Sequence, residues 1–170
     1  GVEYIINVGY DLETSRKAVE LATEYDGCYA AVGLHPHEAL RADDRTLAEL
    51  EDLARQSKVV AWGEIGLDFY RDRSPRDIQQ KVFREQLETA KKLNLPVIIH
   101  DRQAHAETME ILRGAGPAKA VLHCFAGDAA MAREVIKSGW LVSVAGPVTY
   151  RNSKNLPEVI KAVSAEGLML

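Results

Sequence analysis

Apolar, β-branched segments alternate with helix-like segments along almost the whole chain, and this alternation constrains the fold more than any other feature. Each apolar segment is nearly continuous in hydrophobicity, which is typical of a strand covered on both faces of its sheet. The intervals between them fit one helix each, so the sequence predicts parallel βα units with right-handed crossovers. The predicted strands span residues 2–8, 29–32, 59–62, 96–99, 120–122 and 141–145, and a seventh begins at 168–170.

Amphipathic segments fill the intervals between the predicted strands. The clearest helix start lies at Ser74, a predicted N-cap residue, which is followed by Pro75 at the first helical position and by the acidic Asp77 in the first turn. We expect this helix to run to about Leu93. The other predicted helices span residues 15–25, a segment from Asp44 to residue 54, and residues 104–113, 128–138 (with Gly139 at its C′ position) and 157–165.

A closed barrel and an open doubly wound sheet both satisfy this alternation. Residues capable of chemistry follow several successive strands, as in β/α barrels, whereas an open sheet concentrates them at one switch point. We therefore predict an α/β fold of the parallel β/α (TIM-type) barrel class. Such barrels typically need about 200 to 250 residues, so we expect the 170 residues to form one hydrolase domain, residues 1–170, that is truncated at both ends.

The charge balance does not indicate a nucleic-acid-binding surface. The formal net charge is −4, with 46% hydrophobic and 27% charged residues, which is ordinary for a globular protein. A phosphodiester substrate is still compatible with this charge, because bound divalent cations can supply positive charge locally.

Hydropathy and cysteine content indicate where such a chain works. No apolar run approaches the roughly 20 residues that span a bilayer, so we expect no membrane partner. Cys28 and Cys124 are the only cysteines and form no CxxC pair. They are typical of small apolar residues in a reducing compartment, and we expect a cytoplasmic location.

Four side chains that are able to bind a metal lie just after the ends of predicted strands. They are Glu64, within Gly-Glu-Ile-Gly, and His35, His100 and His123. Because the carboxyl ends of parallel strands meet at one rim, where β/α barrels carry their active sites, we expect these side chains to converge. Carboxylate and imidazole ligands suit zinc, manganese or magnesium-type hydrolytic sites, so the pattern predicts a metal-dependent hydrolase.

Each of these residues also has a purely structural interpretation. Glu64 can pair with a nearby arginine, and a single histidine such as His100 or His123 at a strand end is often only hydrogen-bonded. His35 and His37 flank one proline, and three roles remain open for them: a pair of metal ligands, a phosphate contact by His35, or a structural role for His37.

Further polar residues in the same segments have candidate roles. Asp68 and Asp101 can orient metal ligands as hydrogen-bond acceptors. His105 lies at a polar helix start, and we expect it to be solvated. Three arginines can donate paired hydrogen bonds to phosphate or can form exposed salt bridges. These arginines are Arg71, Arg73 and Arg102.

Four segments, taken together, resemble one known family. They are Gly-Leu-His-Pro-His at 33–37, Gly-Glu-Ile-Gly-Leu-Asp-Phe-Tyr at 63–70, Pro-Val-Ile-Ile-His-Asp-Arg at 96–102 and His-Cys-Phe-Ala-Gly at 123–127. In this order, and over essentially the whole chain, they are similar to the motifs of the TatD family of metal-dependent deoxyribonucleases.

The resemblance implies an amidohydrolase-like β/α barrel with one or two divalent metal ions (Mg, Mn or Zn) at its C-terminal rim. It implies that Glu64 bridges two metals and is catalytic, that His100 and His123 are further ligands, and that the catalytic His35 lies close to the substrate phosphate. We expect Arg102 to contact substrate as well. The implied activity is hydrolysis of DNA phosphodiesters, as a 3'-5' exonuclease, with DNA as the substrate.

The chain departs from the family at both ends. The family's His-x-His pair on a first strand and its aspartate in a Thr-Asp-x-Pro-like segment have no counterpart here, so three expected ligands lie outside the sequence. An unclosed sheet would expose edges at residues 2–8 and 141–145, and we expect these edges to favour a homo-oligomer.

Two other functions remain open on the sequence alone. The first is hydrolysis of an ester or amide bond by a similar metal site, because the pocket and not the metal selects the bond. The second is a non-catalytic binding module, because a site that lacks ligands loses most of its chemistry.

Overall fold

Seven strands alternate with six α-helices in the computed structural model, which describes residues 1–150 and 156–169. The strands are β1 (Ile5–Val8), β2 (Cys28–Val32), β3 (Val59–Asp68), β4 (Val97–Arg102), β5 (Ala120–Leu122), β6 (Leu141–Ser143) and β7 (Leu168–Met169). The helices are α1 (Leu12–Glu24), α2 (Asp44–Ala54), α3 (Arg76–Lys92), α4 (His105–Ala115), α5 (Ala129–Lys137) and α6 (Leu156–Ala162). Short 3₁₀ turns lie at Pro36–Arg41, Gly146–Thr149 and Ala165–Gly167.

All seven strands form one sheet whose spatial order follows the chain, from β1 to β7, and every neighbouring pair is parallel. A doubly wound sheet would reverse its order at a switch point. A sequential order with right-handed crossovers instead puts the connecting helices on one side and curls the sheet. The fold is therefore α/β, of the parallel β/α (TIM-type) barrel class, as the sequence predicts.

The predicted strands are confirmed in their order, but β3 and β4 are longer than expected and β1 and β6 are shorter. The prediction that Glu64 ends a strand is wrong, because β3 continues through it to Asp68. The pairing of β3 with β4 shifts register between Trp62 and Ile65, so Glu64 lies in an irregular stretch of a long strand. β4 likewise continues past His100. Leu170, in the last predicted strand, lies outside the described residues.

Three helices begin at aspartate N-cap residues, whereas the one serine predicted as an N-cap does not cap its helix. Asp11, Asp43 and Asp128 each accept a backbone N–H in the first turn of α1, α2 and α5. Ser74 is not the N-cap of α3, because its hydroxyl donates to the His37 carbonyl oxygen at 3.0 Å and Pro75 precedes the first helical residue. No helix in the described part of the chain is long and apolar enough to cross a membrane.

Gly139 lies directly after the C-cap residue of α5 with a φ of 79°. This left-handed conformation is the one in which glycine commonly ends a helix. The sequence prediction of a C′ glycine is confirmed.

Helix α3 and strand β3 form the centre of the core and fix the position of the rim. Trp62, Ile65 and Leu67 on β3 and Phe83 and Leu87 on α3 are all buried. Each such side chain contributes about 1.5 to 3 kcal/mol when it leaves water. The polar residues that follow β3 therefore project from a rigid support.

The open edges of the sheet lie partly where the sequence predicts. β1 is one edge, and Ile5 and Ile6 on it are exposed. The predicted edge at 141–145 is wrong, because Val142 and Ser143 of β6 pair with β7. Homo-oligomer formation through these edges stays a prediction.

Replacing Gly66 with alanine should strongly destabilise the protein. A Cβ at this position would lie 2.0 Å from the carbonyl oxygen of His100, and the φ of 139° is strained for any L side chain. We expect the free energy of unfolding to fall by about 2 to 5 kcal/mol in urea titrations, combining a strained backbone with overpacking.

The matched control is Gly114→Ala in α4, where a Cβ would meet nothing within 4 Å. That change should leave stability equal or raise it by up to about 1 kcal/mol, because alanine favours helix over glycine. Equal unfolding midpoints for the two variants would contradict the close approach of β3 to β4.

Candidate metal centre

Three of the predicted site residues lie together at the carboxyl ends of neighbouring strands. His35 follows β2, Glu64 lies on β3 and His100 lies on β4. One ligand atom from each lies within 4.8 Å of the others. The rings of His35 and His100 have centroids 4.4 Å apart. The sheet register therefore converts three segments that are distant in sequence into one cluster.

Asp68 connects this cluster to its surroundings. Its side chain is 1% exposed, and Oδ2 lies 2.9 Å from Nε2 of His37 and 3.1 Å from Nε2 of His100. Oδ1 accepts the backbone N–H groups of Tyr70 and Arg71 at 3.0 and 2.7 Å. One carboxylate thus holds two histidine rings and the loop after β3, and the predicted role of Asp68 in orienting a ligand has a geometric basis.

The electrostatic environment keeps Asp68 ionised. Burial raises the pKa of this carboxyl group, but the N–H of Arg71 and the hydrogen bonds from His37 and His100 outweigh burial and lower the pKa to about 2. Asp68 is therefore an acceptor at every working pH. Because it can only accept, the Nε2 atoms of His37 and His100 must each carry a hydrogen.

The two ring nitrogens of His100 face different carboxylates, which determine whether each nitrogen donates or accepts. Nε2 donates to Asp68, and Nδ1 lies 3.3 Å from Oε1 of Glu64. Burial lowers the pKa of His100, but the hydrogen bonds and charges of Glu64 and Asp68 raise it above its ordinary value overall. Nδ1 of His100 and the Glu64 carboxylate are two acceptors that face each other, so a cation is needed between them, either a proton or a metal.

Glu64 is partly buried beside three imidazoles. Burial raises its pKa, but the hydrogen bond and charge of His100, followed by the charges of His35 and His123, bring the pKa below its ordinary value. The side chain therefore stays an anion in a partly buried site without forming an ion pair with an arginine or lysine among the described residues. The predicted alternative, a glutamate paired with arginine, does not describe this part of the chain.

His35 is 8% exposed and stays neutral. Burial, followed by the charge of the nearby His100, lowers its pKa to about 4, although the charge of Glu64 opposes this shift. Nδ1 accepts the backbone N–H of His37 at 3.2 Å. The proton of the neutral ring is therefore on Nε2, which makes that nitrogen a hydrogen-bond donor.

His123 follows β5, as predicted, but lies outside the tight group of three. Its side chain is exposed, and Nδ1 lies 3.2 Å from Oγ of Ser143. The same hydroxyl oxygen accepts the backbone N–H of Cys124 at 2.9 Å. If Nδ1 donates to Ser143, Nε2 is left with a lone pair that can bind a metal.

The donor set fits a divalent metal ion. Glu64 offers an anionic oxygen and His100 offers Nδ1, whose ring is fixed from behind by Asp68, as histidine ligands commonly are. His123 offers a further imidazole directly after the next strand, β5. Mixed oxygen and nitrogen ligands of this kind suit zinc or manganese and do not select one metal.

Three buried side chains support the site in ways that the sequence does not predict, since Gln79 and Gln86 are absent from the predictions and Ser74 is predicted only as a helix cap. Gln79 of α3 accepts the N–H of Asp68 at 2.9 Å and donates to its carbonyl oxygen at 3.3 Å. Gln86 accepts the N–H of Leu34 at 2.8 Å and donates to its carbonyl oxygen at 2.9 Å. Ser74 holds the carbonyl oxygen of His37. The signal was present, because Gln79 and Gln86 interrupt the apolar face of α3 at a spacing of two turns.

Asp101 and His105 form a second polar pair beside the cluster, which corrects the expectation that His105 is merely solvated. Nδ1 of His105 lies 2.6 Å from Oδ2 of Asp101, and this hydrogen bond is the main cause that raises the pKa of His105. The two residues lie at positions i and i+4 at the start of α4, a spacing that brings side chains onto one face.

The Asp101–His105 pair predicts a pH-dependent stability. A histidine whose pKa is raised on folding adds stability below its unfolded pKa of about 6.5, and this stability is lost as pH rises through the folded pKa. The difference in unfolding free energy between the protein and its His105→Asn variant should therefore be larger at pH 5.5 than at pH 8.5. Arg113→Gln, which removes an exposed pair with Glu134, is the control. The change in unfolding free energy caused by Arg113→Gln should be equal at the two pH values. An equal change at the two pH values for His105→Asn would contradict the Asp101–His105 pairing.

Comparison with known proteins identifies the family of the chain. The sequence profile of the family described as "TatD related DNase" matches residues 1–170. The chain is 44% identical over 171 residues to an uncharacterized metal-dependent hydrolase, YabD, of Bacillus subtilis, covering 99% of this chain and 67% of that protein. It is 39% identical over 176 residues to a Cronobacter sakazakii protein named 3'-5' ssDNA/RNA exonuclease TatD, covering 100% of this chain and 66% of that protein.

Solved structures show the same fold. A TatD homolog from Escherichia coli, YJJV, superposes with a TM-score of 0.93 at 34% identity, over 100% of this chain and 67% of that chain. A TatD family hydrolase from Entamoeba histolytica has a TM-score of 0.86 at 28% identity, over 99% of this chain and 59% of that chain. The chain thus spans about two thirds of the length of its curated relatives. It belongs to the TatD-related DNase family.

Proposed function

We propose that the protein is a metal-dependent hydrolase of nucleic-acid phosphodiesters that works on DNA from the 3' end. The observation that carries this proposal is the cluster of His35, Glu64 and His100. In this cluster the Glu64 carboxylate and Nδ1 of His100 face each other, and both can bind the same cation. Family membership supports the hydrolytic reaction, and the name of the Cronobacter sakazakii relative, 3'-5' ssDNA/RNA exonuclease TatD, supports 3'-5' cleavage of single strands.

The residues divide the work in this proposal. Glu64, His100 and His123 would hold one or two divalent metal ions (magnesium, manganese or zinc), and Glu64 would be shared between them when two are bound. Bound metal ions supply an activated water and stabilise the charge on the attacking and leaving oxygens. The remaining chemistry is positioning: Asp68 fixes the ring of His100, and His35 donates from Nε2 to a non-bridging phosphate oxygen.

The domain and its setting are part of the same proposal. Residues 1–170 form one domain of a β/α barrel hydrolase, supported by the single seven-stranded sheet and by a family match over every residue. The free cysteines Cys28 and Cys124 are consistent with the predicted cytoplasmic location.

The experiment uses a single-stranded oligonucleotide labelled at its 5' end, with manganese, magnesium or EDTA present, beside a p-nitrophenyl ester. We expect metal-dependent shortening that proceeds one nucleotide at a time from the 3' end and stops in EDTA. Release of p-nitrophenol without DNA cleavage would instead assign an esterase. Metal-stimulated cleavage of neither substrate, with DNA still bound, would assign a binding module.

Metal content tests the dinuclear part of the proposal. Elemental analysis after manganese loading and desalting should give about two metal ions per chain. A value of one would leave hydrolysis possible and remove the bridging role of Glu64.

A further inference from the structure

An exposed aromatic ring lies between arginines at the rim beside the candidate metal centre. Tyr70, two residues after the end of β3, is 53% exposed. The guanidinium carbon of Arg102 lies 4.2 Å from the centre of its ring, and that of Arg71 lies 5.7 Å away. These distances are within the range of cation–π contacts, so the partly exposed ring and the two guanidinium groups form one positively charged aromatic surface.

This surface is attached directly to the metal centre. The N–H groups of Tyr70 and Arg71 both bind Oδ1 of Asp68, whose other oxygen lies against His37 and His100. On the neighbouring strand, Arg102 lies two residues beyond His100, and its carbonyl oxygen accepts the N–H of Phe69 at 2.9 Å. The Asp68 carboxylate therefore connects the aromatic surface to the candidate catalytic groups, and backbone hydrogen bonds hold the surface in place.

Charge distinguishes these arginines from their neighbour. Arg76, in the same region, is paired with Asp72 and stacks on the largely buried Phe69. In the described part of the chain, Arg71 and Arg102 have no carboxylate within ion-pair distance. Guanidinium groups of this kind are free to bind phosphate, and the exposed part of the Tyr70 ring beside them offers aromatic surface for stacking.

From this arrangement we propose that Tyr70, with Arg102 and Arg71, is a stacking platform for one unpaired nucleobase of a single-stranded nucleic acid. The arginines contact the phosphates that flank that base. The inference rests on the proposed function, because it names the form of substrate that reaches the same site. Bases in a duplex already have both faces covered by their neighbours, so such a platform selects single strands and frayed ends.

The test measures binding separately from hydrolysis. Fluorescence anisotropy of a labelled single-stranded decathymidylate, with calcium in place of manganese, gives the Kd, and electrophoresis confirms that the strand stays intact. Stacking contributes about 1 to 3 kcal/mol per base, so Tyr70→Ala should weaken binding by roughly 5- to 150-fold. Tyr70→Phe keeps the ring and should bind within about twofold of the parent. Tyr25→Ala, an exposed tyrosine at the end of α1, should not change the Kd.

An abasic scan separates stacking from a structural role. The base is removed in turn from each of the three nucleotides at the 3' end. One position should weaken binding to the unmodified protein about as much as Tyr70→Ala does, and that effect should disappear in the Tyr70→Ala variant. Equal losses for Tyr70→Phe and Tyr70→Ala, or equal sensitivity of both proteins to every abasic position, would overturn the platform.

Failure of this inference and failure of the proposed function give different results. Hydrolysis of single-stranded DNA with an unchanged Kd for Tyr70→Ala would remove the platform and keep the hydrolase. A base-dependent Kd that requires Tyr70, without any hydrolysis in manganese, would keep the platform and remove the hydrolase. No binding of single-stranded DNA by the unmodified protein would overturn the platform directly.

Discussion

Replacing Glu64 with glutamine is expected to remove metal-dependent phosphodiester hydrolysis while leaving the fold intact. The amide has the shape of the carboxylate but no charge, so it is a poorer ligand for the proposed metal ions, and His100 loses the anion that faces Nδ1. Loss of metal-based charge stabilisation of several kcal/mol corresponds to a fall in kcat/KM of at least about a thousandfold. Initial rates of nucleotide release over a range of manganese concentrations measure this fall.

Glu110→Gln is the matched control for Glu64→Gln, because it removes an exposed carboxylate from the outer helix α4. Its rate and its metal content should equal those of the parent protein. Circular dichroism should give the same spectrum for all three proteins, which separates lost chemistry from lost structure. A Glu64→Gln variant that retains its metal content and more than about a tenth of the parent rate would contradict the role of Glu64 as a ligand.

The order and type of the secondary structure elements follow from the sequence because two physical signals agree. Continuous apolar runs predict strands covered on both faces, and amphipathic intervals between them predict helices. The helix starts follow less well: the first helix is predicted from residue 15 but begins at Leu12, after the cap Asp11. The strand ends also follow less well. β3 extends to Asp68 because Gly63 and Gly66 let a distorted strand lie close to β4, an effect of pairing with a distant segment that a local pattern does not contain.

The candidate site likewise has features that the sequence predicts and features that it does not. The positions of His35, Glu64 and His100 follow from one rule, that parallel strands share a rim. The four contacts of Asp68 could not be derived in this way, because they depend on side-chain orientation across the β3–β4 register shift and in the loop after β3. His123 illustrates the limit: its strand is predicted correctly, yet its ring lies outside the tight group.

Asp68→Asn should impair metal binding by changing the tautomer of His100. An ionised aspartate can only accept, so it keeps a hydrogen on Nε2 of His100 and leaves the lone pair of Nδ1 facing Glu64. If the asparagine oxygen keeps the N–H groups of Tyr70 and Arg71, its amide group replaces Oδ2 and donates. Neutral His100 must then accept at Nε2 and carry its hydrogen on Nδ1, the nitrogen that would bind the metal.

The expected losses are about 10- to 100-fold in metal affinity and in kcat/KM. Long-range ¹H–¹⁵N spectra of the histidine rings in metal-free protein should show that His100 loses the hydrogen that Nε2 carries in the parent protein and keeps a hydrogen only on Nδ1, a change that a merely structural role would not produce. Asp72→Asn is the matched control: it lies in the same loop, is paired only with Arg76 and has a φ of 50° that asparagine tolerates. Full metal affinity in Asp68→Asn, with His100 still protonated on Nε2, would show that the carboxylate does not set the ligand's tautomer.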